Sequence, residues 1–100
     1  MTTPWAFDVF SAWLSNRAAA LQDAGMSVEF QRQDGPRASV RLRAESLARI
    51  GELTVWSDGT AHEAVLDLSS GNFVYERDGT QLEGDDSGQL AIFFAETVAT

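Results

Sequence analysis

The chain has 100 residues, a formal net charge of −8 and no cysteine. That length holds one small core, so residues 1–100 read as a single domain, and the missing thiol excludes a disulfide framework and cysteine catalysis. An apolar share of 44% with 10% aromatic residues fits a folded chain rather than a disordered one.

Thr3-Pro4 has the form of a helix start, a capping hydroxyl followed by proline at the first helical position. Phe7, Phe10, Leu14, Ala18 and Leu21 then recur at steps of three and four, and Gly25 follows as a left-handed cap. The spacing predicts a helix from Pro4 to Ala24, with Trp13 flanking its apolar stripe. The N-terminus lacks a basic region, and Asp8, Ser11 and Asn16 interrupt its apolar residues, so no signal peptide is expected. No apolar run approaches the length of a membrane span, and a cytoplasmic location is the expectation.

Met26 to Gln33 alternates through Val28 and Phe30 as a strand, and Asp34-Gly35-Pro36 turns the chain. Arg37 to Arg43 alternates most clearly, with Ala38, Val40 and Leu42 on one side and four polar residues on the other. Ala44 to Gly51 reads as a short helical turn or a wide connection. The segment Leu53 to Leu66 then reads as a β-hairpin around Asp58-Gly59, the two positive-φ positions of a tight two-residue loop. That register pairs Trp56 with Ala61, Val55 with His62, Thr54 with Glu63 and Leu53 with Ala64. It places Leu53, Val55, Ala64 and Leu66 on a core face, and Glu52, Thr54, Trp56, Glu63 and Val65 on the outer one.

Beyond Asp67 and Leu68, a turn with Ser70-Gly71 as its loop leads into a strand from Phe73 to Asp78-Gly79. Phe73 then faces Leu68 and Tyr75 faces Leu66, both inward, with Val74 and Glu76 outward. A short sixth strand over Thr80 to Glu83 is a further expectation. A polar loop, Gly84 to Gly88, precedes the last helix; Asp86 and Gln89 form a capping box, and Leu90, Phe93, Phe94 and Val98 its apolar stripe. The architecture is therefore α+β: an N-terminal helix, a five-stranded antiparallel meander sheet and a C-terminal helix, both helices on one face. The other face stays open to water, as antiparallel sheets allow.

The charge is unevenly spread. Residues 1–50 hold six arginines against five acids, whereas residues 51–100 hold one arginine, Arg77, against ten acids. Such a field opposes nucleic-acid binding and favours a basic partner. The chemistry needed for catalysis is not visible: there is no lysine, no Gly-x-Ser-x-Gly elbow, no phosphate loop, and a single histidine, His62, placed by the hairpin register on the inner side near Val55. Asp85-Asp86-Ser87 lacks the alternate ligands of a calcium loop. The reading is no catalytic residue, no metal and no cofactor. What remains is the outer sheet face, where Trp56 lies among Arg41, Arg43, Glu52, Glu63, Asp67 and Glu76. That set reads either as cross-strand ion pairing around a covered tryptophan or as an aromatic anchor ringed by acids at an interface.

The segment Phe10-x-x-Trp13-Leu14-x-x-Arg17 with Leu21 and Gly25, then Ser39-Val40-Arg41-Leu42, then Gly51-x-Leu53-x-Val55-Trp56-x-x-Gly59 with Glu63, Gly71 and Tyr75, resembles the TriTu-type immunity proteins of bacterial polymorphic toxin systems. The resemblance implies a small cytoplasmic protein of bacterial competition that neutralises a cognate secreted toxin domain. In the name-giving family that toxin is an ADP-ribosyltransferase. On this reading the chain is not an enzyme and is a monomer alone; it covers the active site of a toxin domain with a basic surface, and binds neither nucleic acid nor membrane. Trp56, Asp58, Glu52, Glu63, Asp67, Tyr75 and Glu76 are the candidate toxin-binding residues. An acidic secretion chaperone that holds an effector segment is the alternative, since β-strand addition to a sheet edge would serve that role.

Overall fold

The computed structural model describes residues 6–82 and 90–98. In chain order the elements are α1 (Phe7–Asp23), β1 (Ser27–Gln33), β2 (Ser39–Glu45), β3 (Arg49–Trp56), β4 (Thr60–Asp67), β5 (Phe73–Gln81) and α2 (Ala91–Val98). The strands pair antiparallel with their neighbours in sequence, giving the meander order β1-β2-β3-β4-β5. α1 packs against β1 and β2, and α2 against β3, β4 and β5. Both helices feed one core, and Trp13 meets Phe94 edge-on at 5.8 Å between ring centroids.

α1 buries Phe10, Leu14, Ala18 and Leu21, the stripe its periodicity predicts. Its end is a Schellman motif. The Gly25 amide donates to the Gln22 carbonyl and the Met26 amide to the Leu21 carbonyl, while Gly25 takes a φ of 98°. Met26 then packs onto the core. The expected start at Thr3-Pro4 lies outside the described residues. Within them the helix opens at Phe7 after Ala6, without a side-chain cap.

The wide connection or helical turn expected over Ala44 to Gly51 is instead continuous sheet with a short reversal. β2 runs to Glu45, β3 begins at Arg49, and the turn occupies residues 46–48. Ser46 decides this: its hydroxyl oxygen accepts the Ala48 and Arg49 amides at 3.1 and 3.0 Å, and its own amide donates to the Arg49 carbonyl at 2.9 Å. A serine that satisfies the next backbone groups in this way competes with helix formation.

The central hairpin differs from expectation by one residue. Its loop is Ser57-Asp58-Gly59, so Val55 pairs with Ala61, Thr54 with His62, Leu53 with Glu63 and Gly51 with Val65. Only Gly59 has positive φ, at 89°; Asp58 does not, because its carboxylate accepts the Thr60 amide at 2.9 Å in a conformation with ordinary negative φ. The loop is the three-residue kind, a turn closed by the Gly59 amide on the Trp56 carbonyl with glycine supplying the left-handed step. Since side chains alternate with period two, a shift of one residue turns all of β4 over. Ala61, Glu63 and Val65 face the core, whereas His62, Ala64 and Leu66 face outward. This corrects the expected positions of Glu63, Val65 and Asp67, of Ala64 and Leu66, and of His62.

β5 carries two further irregularities. Phe73 pairs with Leu66 and Tyr75 with Val65, leaving Val74 as an extra residue; Thr80 pairs with Ala61 and Asp78 with His62, leaving Gly79. The first bulge turns Phe73 outward, where it is 58% exposed, and keeps Tyr75 inward as expected. The second absorbs the Asp78-Gly79 pair that suggested a strand end, so Thr80 and Gln81 belong to β5 rather than to a sixth strand. Glu83 and the capping box of Asp86 and Gln89 lie outside the described residues.

α2 buries Phe93, Phe94 and Thr97, with Leu90 just before it; Thr97 holds the inward place expected of Val98, which is half exposed. The helix can lie this close because β3 carries Gly51 beneath it. A Cβ on Gly51 would sit 2.3 Å from Thr97 Oγ1 and 2.7 Å from its Cγ2.

Candidate interaction face

The open face of the sheet runs between two ends about 20 Å apart along β3, from Ile50 to Trp56. At the Trp56 end the indole is half-buried, and the Arg37 guanidinium lies over its ring, 5.0 Å from the centroid. Asp58 sits in the loop beyond it. The Thr60 amide bound to that carboxylate holds its pKa below the usual value. In the middle, Arg41 reaches Glu52 at 3.0 Å, and Arg43 lies 3.9 Å from Glu52 and 3.8 Å from Glu45. Farther across, His62 Nδ1 approaches Asp78 at 3.2 Å. Of the cross-strand pairing that the charge pattern predicts, the Arg41 and Arg43 contacts with Glu52 are present and those with Glu63 are not; the exposed ion pairs are worth well under ~1 kcal/mol each.

The Ile50 end is different. Ile50, Leu66 and Phe73 stand in a row across β3, β4 and β5. With Arg43, Glu52 and Ala64 they line a dimple of about 170 Å³, and Ala64 is buried although it faces outward. Next to it lie two ordered turns. Leu47 projects from the Ser46–Ala48 reversal with 102% exposure, and Leu68 follows β4 at 40%. The Leu68 amide donates to the Ala48 carbonyl at 2.9 Å, so the two turns are fastened together, with a cleft of about 500 Å³ between them. Asp67 accepts the hydroxyl and the amide of Ser69 at 2.8 and 2.9 Å, and these bonds lower its pKa.

The seven sequence-predicted site residues therefore do not form one cluster. Trp56 and Asp58 share one end, and Glu52 and Glu76 lie farther along the outer face; Asp67, paired across the sheet with Arg49 and two residues beyond Val65, is turned to the helix side at the end of β4. Glu63 and Tyr75 are on the inner face. Glu63 is 0% exposed, and the Tyr75 hydroxyl lies 3.5 Å from both of its carboxylate oxygens. Arg77 Nη1 lies 3.5 Å from that same hydroxyl. Burial raises the Glu63 pKa, against the opposing effect of Arg77 and the tyrosine. Pattern reading missed Leu47, hidden in a segment of mixed periodicity, and the outward turn of Phe73, which a bulge decides.

A second concavity, of about 550 Å³, lies between α1 and α2 and is lined by Trp13, Arg17, Leu21 and Phe94 among others. Arg17 lies over the Phe94 ring at 5.2 Å, and no acid is among the described residues that line that groove. Among the described residues no three metal-ligating side chains come together, and no helix is long and apolar enough to cross a membrane. The Asp85-Asp86-Ser87 segment is outside that description.

The family model described as Immunity protein TriTu matches residues 8–100. The chain belongs to this family. Comparisons with curated proteins and with solved structures return no match. The TriTu match takes in both helices, all five strands and both ends of the outer face. The hairpin loop, the Gly51–Thr97 contact and the inner carboxyl Glu63 are thus features of a TriTu immunity protein.

Proposed function

We propose that this protein binds a cognate secreted toxin domain in the cytoplasm and neutralises it by covering the toxin's active site. The observation that carries the reading is the TriTu family match across residues 8–100. The ADP-ribosyltransferase associated with the name-giving family is the first toxin chemistry to test. The outer sheet face supports the reading in kind. It is open to a partner, and the acids Glu52 and Glu76 lie along it with Asp58 in the loop at its end, within a half-chain that holds one arginine against ten acids. A toxin domain with a basic surface would be drawn to that field.

The experiment is capture with this chain as bait from its native cells, followed by expression of the captured domain in a bacterial host with and without the chain. Growth arrest by the domain alone, relieved by the chain, is the expected result. A captured protein that is harmless, and is held by an N-terminal segment, would replace immunity with the chaperone reading.

A further inference from the structure

Resting on the immunity reading above, we propose that the toxin docks on the Ile50 end of the outer face, seating one apolar side chain in the Ala64 dimple with basic groups around it. Three observations converge there. Leu47, Leu68, Phe73 and Val74 are all exposed large apolar residues, and Ile50 and Leu66 extend them into the sheet. Among the described residues the other exposed ones, Val9, Ile92 and Val98, belong to the helices. A contiguous apolar patch rimmed by polar groups is the ordinary mark of an interaction site, and a scattered set is not.

The patch is also ordered before any partner arrives. Ser46 fixes the turn that carries Leu47, Asp67 and Ser69 fix the one that carries Leu68, and the bond from Leu68 to Ala48 locks the two together. Anchors already held in place lose less entropy on binding.

The surrounding charge then selects the occupant. Glu45 and Glu52 are balanced by Arg43 and Arg41, which leaves Glu76, level with Ala64 on β5, as the excess charge of the rim. A toxin surface with lysine or arginine around an apolar residue is complementary to that rim. A second copy, with its own net charge of −8, is repelled by it. Among the described residues that line it, the groove between α1 and α2 carries an arginine, Arg17, and no acid, which matches a basic surface less well.

The test uses the purified toxin domain that the wild-type chain neutralises in the growth assay, with affinities measured by calorimetry against four variants. F73E and L47E place a charge in the patch; V9E and I92E make the same change on the helices. F73E and L47E are expected to weaken binding at least ten-fold and to lose growth protection, with V9E and I92E within two-fold of wild type. Leu47 is fully exposed in a turn, so L47E reports on binding even if F73E were to loosen the sheet end. Equal affinities for all four variants would overturn the proposal while leaving immunity standing. A free chain that sediments as a dimer, and becomes a monomer with F73E, would assign the patch to self-association and overturn it too. Failure of the wild type to protect against any captured domain would remove the immunity reading and this one with it.

Discussion

Gly51→Ala tests the packing that sets α2 on the sheet. Gly51 has an ordinary strand φ, so alanine meets no backbone strain there, and its smaller unfolded-state entropy would stabilise the chain by about 0.4–1 kcal/mol. The new Cβ, however, would lie 2.3 Å from Thr97 Oγ1, 2.7 Å from Cγ2 and 3.1 Å from Cβ. Thr97 cannot swing aside freely, because it is fully buried and its hydroxyl donates to the Phe93 carbonyl at 2.7 Å. The helix must move, and overpacking of this kind costs about 1–3 kcal/mol. The clash outweighs the entropy gain, for a net loss of about 1–2 kcal/mol, or roughly 4–16 °C in Tm for a domain of this size. Thr97→Ala removes the two nearest atoms, so Gly51→Ala made in that background should cost under about 0.5 kcal/mol. Urea denaturation of the four members of this cycle gives both numbers. Additive losses, with no coupling between positions 51 and 97, would refute the close approach as the reason for glycine.

Three other perturbations have defined signs. Glu63→Gln should stabilise the protein at pH 7, because burial makes the folded carboxyl a weaker acid than the unfolded one, and its ionisation then opposes folding by about 1.4 kcal/mol for each tenfold difference in acid strength. The wild type loses stability as pH rises from the unfolded carboxyl value through the raised folded one, so the advantage of the variant should vanish at low pH; denaturation midpoints across pH 4–8 measure it, and a variant weaker at pH 7 would contradict the burial argument. Arg49→Ala should cost about 1 kcal/mol and exceed Glu96→Ala, since Arg49 Nη1 donates both to the Glu96 carboxylate at 2.6 Å and to its backbone carbonyl at 2.9 Å, and the second bond survives loss of the carboxylate. Amide exchange in α2 would read the same order. Trp56→Ala should leave the circular dichroism spectrum unchanged and cost about 1–2 kcal/mol, as expected for a half-buried indole on the open face with one cation–π partner.

Element types and their order were legible in the sequence because the periodicities are strong. The α1 stripe, the Gly25 cap and the alternation of Val40 and Leu42 each follow from a single local rule that nothing tertiary opposes. The connections were not legible to the same depth. Asp58-Gly59 permits either a two-residue loop, with both residues at positive φ, or a three-residue loop in which glycine alone is left-handed. The side-chain bond from Asp58 to the Thr60 amide selects the second. That single bond determines the face of every residue in β4. A sequence cue did exist, since the three-residue register brings Val65 beneath the helices at the cost of burying Glu63, and Tyr75 is spaced to meet it. Hydrophobic alternation ranks a buried glutamate as an error, so it prefers the wrong register. Likewise Val74 and Gly79 are bulges that period-two counting cannot count.

The distribution of charge and apolar area on the outer face separates two tasks. Asp58 and Asp67 each hold the amides of their own turns, and Glu52 is paired with Arg41, so these carboxylates already have local partners. Their effect on a basic partner is chiefly that of a field, which acts over a Debye length of about 8 Å at physiological salt and raises the rate of encounter. Residence time depends instead on close, dehydrated contact, and most affinity differences within one interface lie in the dissociation rate. Among the described residues of this face, the Ile50 end offers the exposed apolar surface for such contact, whereas the indole at the other end is overlaid by Arg37. An inhibitor has to reach its toxin before the toxin's substrate does and then stay bound. If the toxin docks as proposed, the acids would serve the first requirement and the apolar turn pair the second, so removing an acid and removing Phe73 would weaken the complex through different rate constants.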